Sequence, residues 1–178
     1  ATSSSLGNNG KDEHLSPYAW SKSKNIELIK NYSKWFGLKY EFVYFYNVYG
    51  PGQIINSPMA AVIGIFQRQY KEGKPLTVVK PGTQRRDFTH IDDIVNGCVL
   101  AWKKGKQNHY MLGSRKNYSI IQIAKMFKSK IKYLPSRPGE RLGSTFPNNN
   151  AFKILGHKSK VSIKDYISNF IDNIDNKN

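Results

Sequence analysis

The sequence predicts an α/β fold built around a parallel sheet, and three observations support this prediction. An amphipathic segment over 18–36 follows Ser16 and Pro17, a helix-start signal, and precedes Gly37, a residue suited to a helix C-cap. Residues 40–47 are rich in aromatic residues and valine, which is the pattern of a buried strand. The alternation of helical and extended segments favours β-α-β units, and therefore parallel strands.

The remaining elements are predicted from local signals. Residues 1–5 are predicted to end a strand, and a Gly-Pro-Gly turn at 50–52 leads the chain out of the first sheet. Helices are predicted at 59–71, 93–103, 119–128 and 163–174, and strands at 76–79 and 109–112. The last helix carries apolar residues at three- and four-residue spacing, which indicates a stripe packed on the core. No internal repeat and no long linker divides the chain.

The chain carries a strong positive charge on a composition that can form a core. Its 178 residues are 39% hydrophobic, and the formal net charge is +16. The lysines are spread along the sequence, which argues against a dedicated nucleic-acid surface and is compatible with an anionic ligand. A lysine-rich bias of the whole proteome is the alternative explanation of the charge.

Several classes of site are disfavoured by what the sequence contains. Cys98 is the one cysteine, so no disulfide can form within the chain, and a small core residue is its simplest role. The four histidines are scattered, so no metal site is predicted. No apolar run approaches the length of a membrane span, and we expect a cytoplasmic protein that does not enter a membrane.

Tyr18 and Lys22 form the most informative pair of residues in the sequence. Four residues apart near the start of a helix, they would lie on one face about 5–6 Å apart. An ammonium at that distance stabilises a tyrosine phenolate, and the phenol can then act as a general base near neutral pH. Surface helices carry such a pair by chance, so its weight depends on the motifs that accompany it.

Four segments accompany this pair: Ser3-Ser4-Ser5, FYNVYGPGQ at 45–53, RRDFTHIDD at 85–93 and RPGE at 137–140. In this order and spacing, the chain resembles the extended short-chain dehydrogenase/reductase superfamily, most closely its NAD-dependent nucleotide-sugar epimerases of the UDP-galactose 4-epimerase type. The resemblance implies the C-terminal part of a Rossmann-like doubly wound parallel sheet plus a smaller α/β substrate-binding lobe. Residues 1–50, with returning segments near 85–105, would belong to the NAD-binding domain, and 51–178 mainly to the substrate lobe.

The resemblance also implies roles for the residues of the reaction centre. Tyr18 would take the proton from a sugar hydroxyl while hydride leaves the same carbon for NAD. Lys22 would bind the nicotinamide ribose and stabilise the phenolate. Ser5, with Ser4 as the alternative, would bond the same sugar oxygen, and Ser3, Ser4 and Tyr46 would contact the cofactor. An aromatic residue at the end of a strand is equally often a core residue, so Tyr46 has this second interpretation.

A second group of residues would bind a nucleotide-diphosphate sugar such as UDP-glucose. The resemblance assigns this role to Asn47, Arg86, Phe88, Arg137 and Glu140. The planar guanidinium of arginine suits a diphosphate, and an amide between a buried strand and a turn needs hydrogen-bond partners. Two neighbours of this group are interpreted differently. Arg85 is predicted to be a surface residue and His90 to have a structural place at a helix start.

No G-x-G-x-x-G turn that could hold a dinucleotide pyrophosphate occurs in the sequence. We therefore expect the catalytic residues and the substrate lobe without the main cofactor cradle, and a chain that is inactive alone. C4 epimerisation is the favoured reaction, and the absence of a carboxylate beside Ser5 argues against 4,6-dehydration. A reductase or decarboxylase, or a non-catalytic nucleotide-sugar-binding fragment, is the alternative. The resemblance also implies that two copies of the chain form a homodimer through the helix over 18–36.

Overall fold

Helices and short strands alternate along residues 1–6, 16–137, 143–144 and 146–176, the part of the chain that the computed structural model describes. A 3-10 helix spans Ser3–Leu6. The α-helices are α1 (Pro17–Phe36), α2 (Val62–Lys71), α3 (Ile91–Lys104), α4 (Ile120–Met126), α5 (Asn150–Lys153) and α6 (Ile163–Asp175). The strands are β1 (Phe42–Phe45), β2 (Val48–Tyr49), β3 (Leu76–Val79), β4 (Arg85–Asp87), β5 (Thr89–His90), β6 (His109–Leu112), β7 (Asn117–Ser119) and β8 (Ile131–Leu134).

The strands form parallel pairs, with one antiparallel exception among the described residues. β1 pairs with β6, β2 with β5 and β3 with β8, all in parallel. β4 pairs antiparallel with β7. Strands adjacent in the chain are not partners, because each parallel pair needs a crossover connection. The predicted α/β class with parallel strands is confirmed.

Helices cover both faces of the β1–β6 pair. Phe42 and Tyr44 alternate with Val43 and Phe45 along β1, so the two sets point to opposite faces. The first set packs with Met111 and with two isoleucines of α1, Ile26 and Ile29. The second set packs with residues of α3, Ile94 and Ala101 among them. Helices packed on both faces of parallel strands are the defining feature of a doubly wound sheet.

A separate core surrounds β3, which lies beside α2, α4 and α6. Leu76 and Val78 of β3 are fully buried, and Phe66 of α2 and Phe127 just after α4 make an edge contact with ring centroids 5.9 Å apart. The apolar stripe predicted for the last helix is confirmed, since its buried residues are Ile163, Ile167 and Ile171.

Local capping explains why α1 begins and ends where the sequence predicts. The side chain of Ser16 accepts a hydrogen bond from the backbone N–H of Ala19 at 3.1 Å, and Pro17 occupies the first turn. Gly37 adopts φ 68° at the end and donates its N–H to the carbonyl of Ser33. α1 is therefore held by its own caps before it packs on the sheet.

Two predicted elements begin or end elsewhere. Thr2 bridges Phe45, but the residues after it turn into the 3-10 helix instead of continuing a strand. The cause is local, because the N–H and the hydroxyl of Ser5 both donate to the carbonyl of Thr2. The helix predicted from residue 59 begins at Val62, after a turn closed by the Ala60 N–H and the Ser57 carbonyl.

The short strands β2, β4, β5, β7 and β8 were not predicted from the sequence. Each has only two to four residues, and its partner lies far along the chain. The helix predicted at 93–103 is longer, from Ile91 to Lys104, and the Nδ1 atom of His90 caps it by accepting from the Asp92 N–H. The structural role predicted for His90 fits this contact.

Truncation of Phe127 tests the core around β3. Phe127 is fully buried and its ring contacts Phe66, Tyr70 and Phe170. We expect Phe127→Ala to lower the free energy of unfolding by about 3–5 kcal/mol, measured by urea denaturation. Phe152→Ala, at a half-exposed ring, is the matched control and should cost much less. Equal losses for the two variants would contradict this description of the core.

Candidate active site

Two of the three predicted catalytic side chains, Tyr18 and Lys22, line a cleft of about 510 Å³. The cleft is formed where the first residues of the chain, the first turns of α1, the end of β1 and β4 meet. Its lining residues are Ala1, Thr2, Ser3, Ser4, Tyr18, Lys22, Phe45, Asn47, Val48 and Arg86. We call this the first cleft.

Tyr18 and Lys22 lie one helical turn apart on α1 and face the first cleft together. The ammonium of Lys22 is 5.7 Å from the centre of the Tyr18 ring. Tyr18 is 53% exposed, so the residue is accessible to a ligand. Ala19 between them is buried and fixes the rotation of the helix. The spacing predicted from the sequence is therefore realised on a helix whose start is capped.

The three serines at 3–5 do not all line the first cleft. Ser3 and Ser4 line the first cleft. Ser5 does not line it, because this residue is buried and its hydroxyl donates to the carbonyl of Thr2 at 2.7 Å. The structure thus brings Ser3 and Ser4, but not Ser5, beside Tyr18 and Lys22.

Asn47 lies between β1 and β2 in a conformation that few side chains adopt. Its φ is 24°, in the left-handed region where asparagine is tolerated better than most residues. Its side-chain amide donates to the carbonyl of Asp87 at 2.9 Å, which holds this strained residue against β4. The predicted need of this amide for a partner is met by the main chain of a strand 40 residues away.

A second cleft, of about 270 Å³, continues from the first on the other side of Asn47 and Arg86. Both of these residues line both clefts. Arg137, Thr77 and Val79 also line the second cleft, so strand β3 runs along its wall. Glu140, the remaining residue predicted to bind the substrate, lies outside the described residues.

Two aromatic residues that were predicted to contact ligands are buried. Tyr46 is completely buried and stacks on Phe146, with ring centroids 4.3 Å apart. Phe88 is 2% exposed and belongs to the core around β3. Neither ring lines the first or the second cleft. Their visible contacts are those of packing residues, which is the second interpretation that the sequence allowed for Tyr46.

The two clefts are positively charged. Lys22 and Arg86 line the first, and Arg86 and Arg137 line the second. Among the described residues, no aspartate or glutamate side chain lines either cleft. Arginine can bind a phosphate with two parallel hydrogen bonds, and the low polarity of a cleft strengthens them. The arrangement favours an extended ligand with negative charge near Asn47 and Arg86.

Asp87 is a buried carboxylate that the sequence analysis did not identify. Its neighbours in the chain are Arg86 of β4 and Phe88, which follows β4, and it is completely buried. Burial raises the pKa of Asp87 to about 6, although hydrogen bonds from Ser114 and Thr89 act in the opposite direction. The sequence carries no local signal of this burial, because it depends on contacts with distant parts of the chain, such as Ser114.

The histidines of the described part have structural surroundings. His90 caps α3, and His109 bonds the hydroxyl of Tyr44 through Nδ1 at 2.8 Å. His157 is buried, which lowers its pKa. Within the described residues, no group of histidine, cysteine and acidic side chains is placed to hold a metal ion. None of the described helices is long and apolar enough to cross a membrane.

The chain belongs to the NAD dependent epimerase/dehydratase family, whose sequence profile matches residues 3–113. This family is NAD-dependent, so the cofactor predicted from the sequence is confirmed. The matched segment contains the serine run, the Tyr18–Lys22 pair, Asn47 and Arg86. The Rossmann-like fold predicted from the resemblance is confirmed as well, because solved structures of nucleotide-sugar enzymes superpose on this chain.

Three similar proteins illustrate the match. A UDP-glucuronate 4-epimerase of Thermodesulfobacterium geofontis is 33% identical over 162 residues, which cover 86% of this chain and 49% of that protein. A crystal structure of UDP-glucose 4-epimerase with UDP-glucose from Thermotoga maritima superposes with a TM-score of 0.82, at 26% identity, over 90% of this chain and 54% of that one. UDP-glucuronic acid 4-epimerase from Bacillus cereus, in complex with UDP-glucuronic acid and NAD, gives a TM-score of 0.78, at 28% identity, over 92% and 54%.

The chain spans about half the length of the curated relatives it matches. The family, the fold and the cofactor class of the family follow from the comparisons. The division at residue 50 and the roles of individual side chains stay predictions.

The pH dependence of stability tests the state of Asp87. Its pKa is about 6 in the folded chain and 3.8 in the ordinary state, so the folded state binds the proton more tightly than the unfolded state. The stability that Asp87 contributes is therefore highest below about pH 4 and falls as the pH rises towards about 6. Asp87→Asn removes this titration. We expect the free energy of unfolding of the variant, relative to wild type, to increase by about 3 kcal/mol between about pH 4 and pH 7.

Urea denaturation at several pH values measures this difference. Asp93→Asn, at the other buried aspartate of the described part, is the control for the removal of a buried carboxylate. Parallel curves for Asp87→Asn and wild type would show that Asp87 does not titrate in this range.

Proposed function

We propose that this chain binds a nucleotide-diphosphate sugar and transfers a proton at the sugar, as part of an NAD-dependent nucleotide-sugar 4-epimerase. The observation that carries this proposal is the junction of the two clefts. Asn47 and Arg86 line both clefts, the first cleft contains Tyr18 and Lys22, and the second is bounded by Arg137 and β3. One elongated ligand that bridges the junction would present its sugar to Tyr18.

The diphosphate is assigned to the junction. The guanidinium of Arg86 and the side chain of Asn47 are the polar groups common to both clefts, and Arg137 adds a second cation on the far side. Two arginines match the charge of a diphosphate, and each can donate two hydrogen bonds in one plane. The nucleoside would then lie in the second cleft along Thr77 and Val79, and the sugar in the first.

Tyr18 is assigned the role of general base. Its side chain lines the first cleft, and Lys22 on the next turn would stabilise the Tyr18 phenolate, which becomes the neutral phenol when it accepts the proton of the sugar hydroxyl. Ser4 is assigned the hydrogen bond to the same sugar oxygen, since it lines this cleft, whereas the hydroxyl of Ser5 is directed to the carbonyl of Thr2. The chain would thus hold the reacting hydroxyl between a base and a hydrogen-bond donor.

The side chains of the first cleft also fit one end of a dinucleotide cofactor. Lys22, Ser3 and Tyr18 carry donors suited to a ribose, and all three residues line this cleft. NAD, when bound, accepts the hydride from the sugar carbon and returns it. Lys22 would hold the ribose while it stabilises the Tyr18 phenolate. A Gly-rich turn for the pyrophosphate is not among the residues of this sequence.

Epimerisation at C4 is the reaction that we favour within the family. Tyr18 would remove the O4 proton as the hydride of C4 leaves for bound NAD, and the resulting 4-keto sugar could rotate before the hydride returns to its other face. The relatives named UDP-glucose 4-epimerase and UDP-glucuronate 4-epimerase support this choice. Dehydration would need a carboxylate beside the reacting sugar, and no acidic side chain of the described residues lines the first cleft. A reductase or decarboxylase of the same family is the alternative.

A non-catalytic nucleotide-sugar-binding role is the candidate from another class. In this role the chain would bind the nucleotide sugar at the same junction of Asn47 and Arg86 but would not convert it. The predicted absence of nucleic-acid binding belongs to the same proposal, because the cations described above line clefts that would hold a small ligand. The cytoplasmic location stays a prediction from the sequence.

We also propose that two copies of the chain form a homodimer through α1. Besides Tyr18 of the first cleft, five large apolar side chains of α1 are at least 46% exposed: Trp20, Leu28, Tyr32, Trp35 and Phe36. Leu28, Tyr32 and Trp35 lie on the side of the helix opposite to Ala19 and Ile26, which face the sheet, and Trp20 and Phe36 flank this side. A helix with a second apolar face needs a partner to cover it, and a second copy of the same helix is complementary by symmetry.

Substitution of Arg86 tests the binding of the diphosphate. Titration calorimetry of the chain with UDP-glucose should give binding that Arg86→Ala weakens by about 10- to 100-fold, because charge-assisted hydrogen bonds are lost. Arg85→Ala is the matched control, since Arg85 is exposed and lines neither cleft. It should leave the affinity unchanged. Equal effects of the two substitutions, or no binding by the wild-type chain, would contradict the assignment.

Light scattering of the purified chain tests the dimer. We expect the mass of two chains for wild type and of one chain for Trp35→Glu, because a charge in the centre of an apolar interface cannot be solvated. Lys34→Glu introduces the same residue one position earlier and should remain dimeric. A wild-type chain with the mass of a monomer at micromolar concentration would contradict the proposed pairing.

A further inference from the structure

Asp87 lies directly behind the junction of the two clefts. It follows Arg86 in β4, and its carbonyl accepts the side-chain amide of Asn47 at 2.9 Å. Arg86 and Asn47 are the residues that line both clefts. The main chain at Asp87 therefore sets the position of both groups, although Asp87 itself lines neither cleft.

The carboxylate of Asp87 fixes this main chain from behind. Its Oδ1 atom accepts from the hydroxyl of Thr89 at 2.9 Å and from the N–H of Ser114 at 2.8 Å. Its Oδ2 atom accepts from the hydroxyl of Ser114 at 3.0 Å. The N–H of Asp87 donates to the hydroxyl of Ser144 at 2.9 Å. Three separate segments of the chain therefore hold this one residue.

The buried position of the Asp87 carboxylate lowers the stability of the fold. Asp87 is completely buried, and no ion pair found among the described residues includes it. A buried charge without an opposite charge is costly, and a neutral amide of the same shape avoids the cost of ionisation. Ionised, however, the carboxylate accepts hydrogen bonds about twice as strong as an amide oxygen does. A residue that lowers stability while it tightens one junction points to a role at that junction.

We propose that Asp87 is a positioning residue, whose buried carboxylate holds Asn47 and Arg86 in the geometry that binds the diphosphate of the nucleotide sugar. This inference rests on the proposed function, because it concerns the same junction. Asp87 acts through Asn47 and Arg86 and does not touch the ligand.

The sign of the effect separates positioning from charge. If Asp87 acted only through its negative charge, its removal would tighten the binding of an anionic ligand. If it acted only on the overall fold, affinity would follow stability, and Asp87→Asn is expected to be at least as stable as wild type near neutral pH. Positioning predicts weaker binding by a variant that is not destabilised.

The experiment is calorimetric titration with UDP-glucose of wild type, Asp87→Asn and Asp93→Asn. Asp93 is the matched control, because it is also a buried aspartate, but it bonds Ser159, Lys160 and Val161 and lines neither cleft. We expect Asp87→Asn to bind about tenfold more weakly than wild type near neutral pH. Asp93→Asn should bind like wild type, whatever its stability.

The same titrations at about pH 5 add a second readout. Burial raises the pKa of Asp87 to about 6, so at about pH 5 the wild-type residue is mostly protonated and the affinity should fall towards that of Asp87→Asn. UDP-glucose suits this range, because a diphosphate diester lacks the ionisation near about pH 6 of a terminal phosphate.

Other titratable groups near Asp87 do not mimic this change. Arg86 of β4, Arg115 after β6 and His90 of β5 are present in wild type and variant alike, and burial raises the pKa of Tyr49 in β2. The comparison of the two proteins therefore isolates the effect of Asp87. The loss of affinity at about pH 5 should be much smaller for Asp87→Asn than for wild type.

Ser114→Ala provides an independent variant if Asp87→Asn does not fold. It removes one donor to the carboxylate from a residue that lines neither the first nor the second cleft, and it should weaken binding in the same direction. Equal affinities of wild type, Asp87→Asn and Ser114→Ala, or tighter binding by Asp87→Asn, would overturn the inference and leave the proposed function intact. No binding of UDP-glucose by wild type would overturn both.

Discussion

The hydrogen bond from the Asn47 amide to the carbonyl of Asp87 is the contact on which the candidate site depends. It joins the end of β1, in the core covered by α1 and α3, to β4, which borders the core around β3. Asn47 is strained, with φ 24°, so this bond also holds it in a conformation that it would not favour alone. Both clefts meet at this contact, and their relative position follows from it.

Charge complements this geometry. The cations at the clefts come from three separate parts of the chain, α1, β4 and the segment after β8, and no described acidic side chain lines the same walls. The net charge of +16 would by itself attract anions without selecting among them. In the proposed function, selection comes from Lys22, Arg86 and Arg137, which line two clefts that share Asn47 and Arg86. The excess of lysine elsewhere is not needed to explain the site.

The sequence predicted best the features that depend on neighbours in the chain. α1 was located because Ser16, Pro17 and Gly37 carry its caps, and the Tyr18–Lys22 pair followed from helical spacing. β4 and β7 were missed, since Arg85 pairs with Ser119 and neither segment has a strong pattern of its own. Ser5 was preferred to Ser4 as the catalytic serine because the sequence does not show in which direction a hydroxyl points. Only the bond of its hydroxyl to Thr2 shows that Ser5 turns away from the first cleft.

Asp87 is a clearer example of a feature that the sequence alone could not predict. An aspartate between an arginine and a phenylalanine looks like a solvated residue, and its burial depends on Thr89 and on Ser114, 27 positions further on. The packing of Tyr46 against Phe146 likewise requires the loop before α5, which local patterns do not place. The motifs predicted the family and seven of the residues that line the two clefts, but not the burial of Ser5, Tyr46 and Phe88.

The most direct test of this account is a crystal structure of the chain with UDP-glucose. We predict a ligand that spans both clefts, with its diphosphate between Asn47 and Arg86, its uridine beside β3 and the glucose O4 within about 3 Å of the Tyr18 hydroxyl. A nucleotide sugar bound elsewhere, or one whose sugar lies in the second cleft away from Tyr18, would contradict it.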